Sequence, residues 1–154
     1  ERLKTIDFTE PYFPPDPSRF VAKADKKVDY DNLSGLKIGA QNSTIQAGYL
    51  DDKLKANNTI LKYDTQDQEV ADLNAGNLDL LFIDGSVAVE LASGSNGALK
   101  SEGPDILIGS GAGIGLRKSD TDLKALLDDA IKSALADGTV KKLSEKWFKI
   151  DVEP

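Results

Sequence analysis

Leu36-Lys37-Ile38-Gly39-Ala40 runs directly into Gln41-Asn42-Ser43-Thr44, and Leu78-Asp79-Leu80-Leu81-Phe82-Ile83 runs into Asp84. Each stretch is a short apolar run, typical of a buried strand, that ends in polar groups just before a helix-like segment. In open α/β sheets, ligands bind beyond the carboxyl ends of the strands, close to the helices that follow. The sequence therefore predicts an α/β fold with a ligand site at these two strand ends.

The two strand ends offer opposite chemistry. Ser43 and Thr44 supply hydroxyls, and the helix that they begin supplies free backbone N–H groups, which suit an anion. Asp84 supplies a lone carboxylate, which suits a cation. All three residues are also common helix N-caps, and the two roles can coexist. A ligand that carries both charges, such as an α-amino acid, would fit between the two ends.

Strands and helices alternate along the first two thirds of the chain. The patterns predict strands at 19–23, 36–40, 59–63 and 78–83, and helices at 44–56, 66–75 and 86–92. Gly76 follows the second of these helices and is typical of a helix stop. The alternation predicts a parallel sheet with right-handed crossovers.

The last third of the chain begins with a glycine-rich run at 109–115. This run precedes a strand, whereas a phosphate-binding loop precedes a helix, so a hinge or tight turn is favoured. Two amphipathic helices follow, the second with Val140, Leu143 and Trp147 on one face. By residue type alone, Trp147 is expected in the core.

The composition excludes several kinds of function. The 154 residues contain no cysteine and no histidine, so disulfides, thiolate metal sites and histidine-based catalytic sets are absent. A net charge of −7 argues against nucleic acid or anionic membranes as partners. We expect no catalytic residue, metal or cofactor. Since methionine is also absent, we expect a processed protein or a fragment.

Motifs spread over nearly the whole chain follow one order. They are Glu1-Arg2 with Phe8-Thr9-Glu10-Pro11-Tyr12, Gly39-Ala40-Gln41-Asn42-Ser43-Thr44-Ile45-Gln46, Asp72-Leu73-Asn74-Ala75-Gly76, and Asp137-Gly138-Thr139 with Lys146-Trp147-Phe148. This order resembles the polar amino-acid solute-binding proteins of ABC importers, which have the type II periplasmic-binding-protein fold (family 3). Within this family, the motifs resemble those of the lysine/arginine/ornithine-, histidine- and opine-binding proteins.

The resemblance implies two α/β lobes joined by two crossover strands, a periplasmic or membrane-tethered extracellular location, and an importer's membrane subunits as partners. It divides the chain into a crossover segment at 1–17, the second lobe with a parallel or mixed sheet at 18–110, a second crossover at 111–118, and C-terminal helices of the first lobe at 119–154. The N-terminal part of the first lobe is not in the sequence. The apolar faces of the last two helices would then need a fold-back, a swapped dimer or a complementing N-terminal fragment to cover them.

The resemblance also assigns site residues. Arg2 matches the arginine that pairs with the ligand's α-carboxylate. The physical basis of that pairing is that a guanidinium and a carboxylate can form two parallel hydrogen bonds. Asp84 matches the aspartate that holds the α-amino group. Thr44 and the backbone N–H of Ile45 match a pair of threonines that also bind the carboxylate, so Ile45 lacks one hydroxyl contact.

Three further positions bear on selectivity. Ser43 is at a position where the family usually has glycine, so its hydroxyl either compensates for the missing one or reshapes the pocket. Gln41 and Ile83 are at positions where selectivity for the ligand's side chain is often set. Two alternatives remain open: an enzyme on the same scaffold, similar to cyclohexadienyl dehydratase, and the ligand-sensing domain of a receptor.

Overall fold

The structure is a computed structural model that describes residues 2–148 of the chain. The chain divides into two units: Glu1–Pro15 with Gly109–Pro154, and Asp16–Ile108. A short 3-10 helix at Arg2–Lys4 precedes the regular elements. In chain order these are β1 (Ile6–Phe8), β2 (Ser18–Lys23), β3 (Lys37–Gln41), α1 (Ile45–Tyr49, continued by a π-helical turn at Leu50–Leu54), β4 (Thr59–Tyr63), α2 (Gln66–Ala75), β5 (Leu80–Asp84), α3 (Gly85–Gly94), β6 (Leu99–Ile106), β7 (Gly115–Arg117), α4 (Thr121–Ala136) and α5 (Thr139–Phe148).

The Asp16–Ile108 unit is built on a five-stranded sheet of order β4-β3-β5-β2-β6. Strand β3 pairs in parallel with β4 and β5, as predicted, whereas β2 is antiparallel to both β5 and β6. The sheet is therefore mixed, which agrees with the expected parallel or mixed sheet, although the alternation of strands and helices by itself indicated only the parallel pairs. The reason is that β2 precedes the first strand–helix–strand unit, so no crossover helix sets its direction.

Helices cover both faces of this sheet. On one face Phe20 and Phe82 stack with ring centroids 4.6 Å apart, and Ala47 and Leu50 of the first helical segment pack against them. On the other face α2 and α3 pack over a separate cluster that includes Leu81. Successive residues of each strand point to opposite faces, which is why the unbroken apolar runs of β3 and β5 are buried on both sides.

At two positions the backbone requires glycine. Gly76 ends α2 in the left-handed conformation with φ 79°, which confirms the predicted helix stop. At Gly85, the first residue of α3, an added Cβ would lie 2.3 Å from the carbonyl oxygen of Pro17. Only a residue without a Cβ allows the start of α3 to approach the chain at Pro17 this closely.

The other unit contains β1, β7, α4 and α5. Strands β1 and β7 form an antiparallel pair in which Ile6 is opposite Arg117. The predicted extended connector at 1–17 thus contains a 3-10 turn and a paired strand. The backbone N–H of Glu10 donates to Asp128 of α4 at 2.7 Å. The two helices bury Ile131 but leave other apolar side chains exposed, and Trp147 is 69% exposed. The expectation of a core position for Trp147 is therefore wrong for this chain.

Within residues 2–148, no helix is both long and apolar enough to cross a lipid bilayer.

Candidate ligand-binding pocket

A pocket opens in the Asp16–Ile108 unit at the carboxyl ends of β3 and β5, beside the first turns of α2 and α3. Its walls contain four of the residues that the sequence predicted, namely Gln41, Thr44, Ile83 and Asp84. Five more residues complete the lining: Gln46, Gln66, Glu69, Phe82 and Val87. The two strand ends therefore do meet at one pocket.

Thr44 is the N-cap of α1. Its side-chain oxygen accepts a hydrogen bond from the backbone N–H of Ala47 at 3.1 Å, and its hydroxyl donates to the carbonyl oxygen of Gln41 at 2.7 Å. These contacts use the hydroxyl proton within the loop. The backbone N–H groups of Ile45 and Gln46 are in the first turn, where no intrahelical carbonyl is available to them. The anion-binding capacity at this strand end thus lies in the backbone more than in the Thr44 hydroxyl.

Asp84 occupies the N-cap position of α3, but its side chain makes no capping hydrogen bond. Asp16 supplies the cap instead, since its Oδ2 accepts from the backbone N–H of Ser86 at 3.1 Å and from the Ser86 hydroxyl at 2.7 Å. The ordinary explanation for an aspartate at this position therefore does not account for the Asp84 carboxylate. Sequence reasoning missed Asp16, although an aspartate in a proline-rich segment is a common capping residue.

Gln46 positions the Asp84 carboxylate. Its side-chain amide donates to Oδ1 of Asp84 at 2.5 Å and to the hydroxyl of Ser18 at 3.1 Å. Gln46 and Ser18 are both buried, and they come from α1 and β2 respectively. Gln46, itself anchored by Ser18 of β2, thus holds the Asp84 carboxylate in one orientation at the pocket wall. Gln46 belongs to the motif quoted above and lies just inside the predicted helix, but no pattern assigned it this role.

Glu69, on α2, is a second carboxyl group in the same wall. The residue is 0% exposed, and within the described residues neither of its carboxyl oxygens has a hydrogen-bond partner. Burial raises the pKa of Glu69 from 4.5 to about 7. Sequence reasoning missed this residue because a glutamate in a polar helix usually faces water. The signal was its position four residues before the buried Leu73, which places both on one helix face.

The remaining predicted residues are placed as follows. Gln41 donates from its side-chain amide to the carbonyl oxygen of Asp64 at 3.1 Å, which fixes it against the loop after β4. Ser43 adopts a left-handed backbone with φ 60°, and Ile45 is 52% exposed. Both are beside the pocket but are not among its lining residues. Arg2 is exposed and belongs to the other unit.

The chemistry of the pocket suits a polar, positively charged group. It carries two carboxyl groups, three amide side chains and the N-terminal turn of α1, and none of its lining residues is basic. Within residues 2–148 no cluster of acidic side chains is arranged to hold a metal ion.

Comparisons with known proteins agree with this architecture. The bacterial extracellular solute-binding proteins, family 3, match residues 1–150 of the chain. The histidine-binding periplasmic protein of Escherichia coli K12 is 33% identical over 160 residues, covering 99% of this chain and 62% of that protein. The L-cystine-binding protein TcyJ of the same strain is 31% identical over 154 residues, covering 99% of this chain and 57% of that protein.

A solved structure is similar over the same range. It is a periplasmic His/Glu/Gln/Arg/opine family-binding protein from Silicibacter pomeroyi in complex with lysine, with 37% identity and a TM-score of 0.82. The match covers 99% of this chain and 66% of that one. The fold is therefore that of the type II periplasmic binding proteins, which confirms the predicted fold class.

The fold and the strand-end pocket define a solute-binding class of protein, and these relatives are named as binding proteins rather than enzymes. The chain belongs to the bacterial extracellular solute-binding proteins, family 3. It spans about three fifths of the length of the curated relatives that it matches.

Proposed function

We propose that this chain is part of the substrate-binding component of an ABC importer and captures a polar amino acid or an amino-acid derivative. The observation that carries the proposal is the Asp84 carboxylate, which does not cap its helix and is held at the pocket wall by Gln46. Relatives of this chain are named for binding histidine and L-cystine, and both ligands are amino acids. The expected location is periplasmic, or extracellular and membrane-tethered, and the expected partners are the importer's membrane subunits.

The two ends of a zwitterion have separate partners in this proposal. The α-ammonium group pairs with Asp84, and the α-carboxylate meets the first-turn N–H groups of Ile45 and Gln46. Arg2, by resemblance, pairs with the same carboxylate. Ser43 shapes the loop between β3 and α1, next to the N–H groups that meet the carboxylate.

The two units correspond, in this proposal, to the second lobe and to part of the first lobe of a two-lobed binding protein. Gln41 and Ile83 line the pocket next to the anchors, so they act on the choice of side chain rather than on the zwitterion. In such proteins, closure of two lobes around the ligand excludes water and strengthens both charged contacts.

Removal of the Asp84 charge tests the proposal. Asp84→Asn keeps an oxygen that can accept from Gln46, so the pocket should stay intact while the counter-charge is lost. Binding of L-amino acids, followed by NMR titration at millimolar ligand, should weaken by roughly 2 kcal/mol or more, about thirtyfold. Asp52→Asn, an exposed position outside the pocket, is the matched control. Equal affinities for the two variants would refute the assignment of Asp84.

The exposed apolar side chains of α4 and α5 point to a missing partner surface. They are Leu123, Leu126, Leu143 and Trp147, exposed by 46%, 67%, 49% and 69%. We propose that the N-terminal part of the first lobe, supplied in the same chain or as a separate fragment, covers them. A swapped dimer is the alternative, and sedimentation equilibrium with and without that fragment separates the two. This chain alone should bind amino acids weakly, because its pocket provides one wall of a cleft.

One observation favours a second candidate function. An enzyme on this scaffold, similar to a dehydratase, would need a carboxyl group poised near neutral pH, and the pKa of Glu69 is raised to about 7. A turnover assay with prephenate- or arogenate-like substrates distinguishes this candidate. Product formation that depends on Glu69 would favour the enzyme, whereas binding without turnover favours the solute-binding role.

A further inference from the structure

A second cavity lies beside the ligand pocket, between α2 and α3. It is a groove of about 500 Å³, whereas the pocket at the strand ends has a volume of about 70 Å³. The larger volume is within the range of roughly 300–1,000 Å³ that is usual for small-molecule sites. The residues proposed to anchor the zwitterion do not line this groove.

One face of each helix forms a wall of the groove. The wall residues of α2 are Gln66, Val70 and Asn74, which are four positions apart and therefore lie on one side of the helix. The wall residues of α3 include Val87 and Leu91, which are again four positions apart. At a rise of 1.5 Å per residue, the α2 wall is about 12 Å long.

The groove and the pocket share two residues. Gln66, the first residue of α2, and Val87, in the first turn of α3, line both cavities. The groove thus begins at the pocket and continues along the helices to Gly94, the last residue of α3. A ligand whose zwitterion is anchored in the pocket can extend its side chain past Gln66 and Val87 into the groove.

The floor of the groove is apolar. Val70 and Leu91 are partly buried and pack against the hydrophobic cluster on this face of the sheet, and Leu99 is 6% exposed. Of the described residues that line the groove, none is a lysine or an arginine, and the single carboxyl group, on Glu90, is exposed. An exposed carboxylate contributes little to the binding of a charged group, so an uncharged apolar chain suits the groove better.

We propose that the groove is a second part of the ligand site and holds a long, uncharged apolar chain carried by the side chain of an α-amino acid. This inference rests on the proposed function, because Asp84 has to anchor the α-ammonium group. The amide of Gln66, at the junction, can donate and accept hydrogen bonds, so it suits a polar link in the chain. The ligand class is an amino acid whose side chain carries an acyl chain through an amide bond.

Nε-Acetyl-L-lysine and Nε-octanoyl-L-lysine are the probes, because both are zwitterions without a side-chain charge and they differ only in the length of the acyl chain. Their affinities for the chain are measured by NMR titration at pH 7, at concentrations where both probes are monomeric. The additional methylene groups, partly buried in the groove, should make the octanoyl compound bind at least about tenfold more tightly. Its amide shift changes should extend from Asp84 along the groove to Leu91 and Ala98.

Two substitutions add bulk to the groove wall away from the proposed anchors. An added Cβ at Gly94 has open space around it, and Ala98 is exposed, so Gly94→Leu and Ala98→Leu should fold. Both should reduce the octanoyl-to-acetyl affinity ratio toward one and leave the affinity for the acetyl compound unchanged. Gly48→Leu, at an exposed position of α1 with equally open space, is the matched control and should keep the wild-type ratio.

The outcomes distinguish this inference from the proposed function. Equal affinities of the wild-type chain for the two probes, or an octanoyl preference that both groove variants keep, overturn the role of the groove and leave amino-acid binding intact. If neither probe binds to the wild-type chain and L-lysine at millimolar concentration does not bind either, the proposed function fails and the inference fails with it.

Discussion

Glu69 should make this chain less stable as the pH rises from acid to neutral, whereas a salt-bridged carboxylate has the opposite effect. Its pKa is about 7 in the folded chain against an ordinary 4.5, because the carboxyl is buried without a partner. Below pH 4.5 the carboxyl is protonated in both folded and unfolded chains, and its full contribution to stability is present. Between pH 4.5 and about 7 the carboxyl ionises in the unfolded chain but not in the folded chain, which favours unfolding. The contribution is therefore lost by the time the pH has risen through the folded pKa.

The size of the effect follows from the shift. One pKa unit corresponds to about 1.4 kcal/mol, so raising the pKa from 4.5 to about 7 gives roughly 3 kcal/mol. The free energy of unfolding of Glu69→Gln relative to wild type should therefore increase by about this amount between pH 4 and pH 8. Lowered pKa values elsewhere, such as that of Asp51, cancel in this difference.

Urea unfolding of both proteins at several pH values measures this difference. Glu90→Gln is the control, because it removes a carboxyl that is exposed on α3, and its difference from wild type should vary little with pH. A Glu69→Gln difference that is the same at pH 4 and pH 8 would show that Glu69 is solvated or paired in the folded chain, contrary to this prediction.

Two further predictions concern the backbone near the pocket, and both are measured by urea unfolding. Ser43 has a φ of 60°, which disfavours L residues, so Ser43→Gly should stabilise the chain by about 0.5–1 kcal/mol and Ser43→Val should destabilise it; equal stabilities for the three would contradict this. Gly85→Ala should destabilise the chain by roughly 2 kcal/mol or more, because the new Cβ would meet a main-chain oxygen at 2.3 Å. Gly94→Ala, in the same helix with open space around it, should be neutral or stabilising, and a similar loss at both positions would rule out the steric explanation.

The strands and helices around the pocket were the most predictable part of the fold. The apolar runs that became β3 and β5 are buried on both faces, and such runs are visible in a sequence without any tertiary information. Strand β6 was not predicted, because Gly103 and Pro104 interrupt it and most of its side chains are partly or fully exposed. It is an edge strand, where proline is tolerated, and its position depends on pairing with β2.

The site was predictable where it follows from strand ends and unpredictable where it depends on packing. Asp84 comes directly after an apolar run and Thr44 follows the short polar loop after another, so the rule for open α/β sheets located them. The capping role of Asp16 is a contact across 70 residues of sequence, which local patterns do not encode. The burial of Glu69 likewise depends on how α2 lies against the sheet. It follows from tertiary packing and not from the polar character of the helix.

Mapping where an amino acid binds on this chain shows whether the pocket at the ends of β3 and β5 is the ligand site. Backbone amide shifts in ¹H–¹⁵N NMR spectra, followed as L-lysine is added, report where the ligand contacts the protein. The largest changes should occur at Ile45 and Gln46, which would meet the ligand's carboxylate, and at Asp84 and Gly85, which would be beside its ammonium group. Changes confined to the groove between α2 and α3, or to the exposed face of α4 and α5, would contradict this assignment.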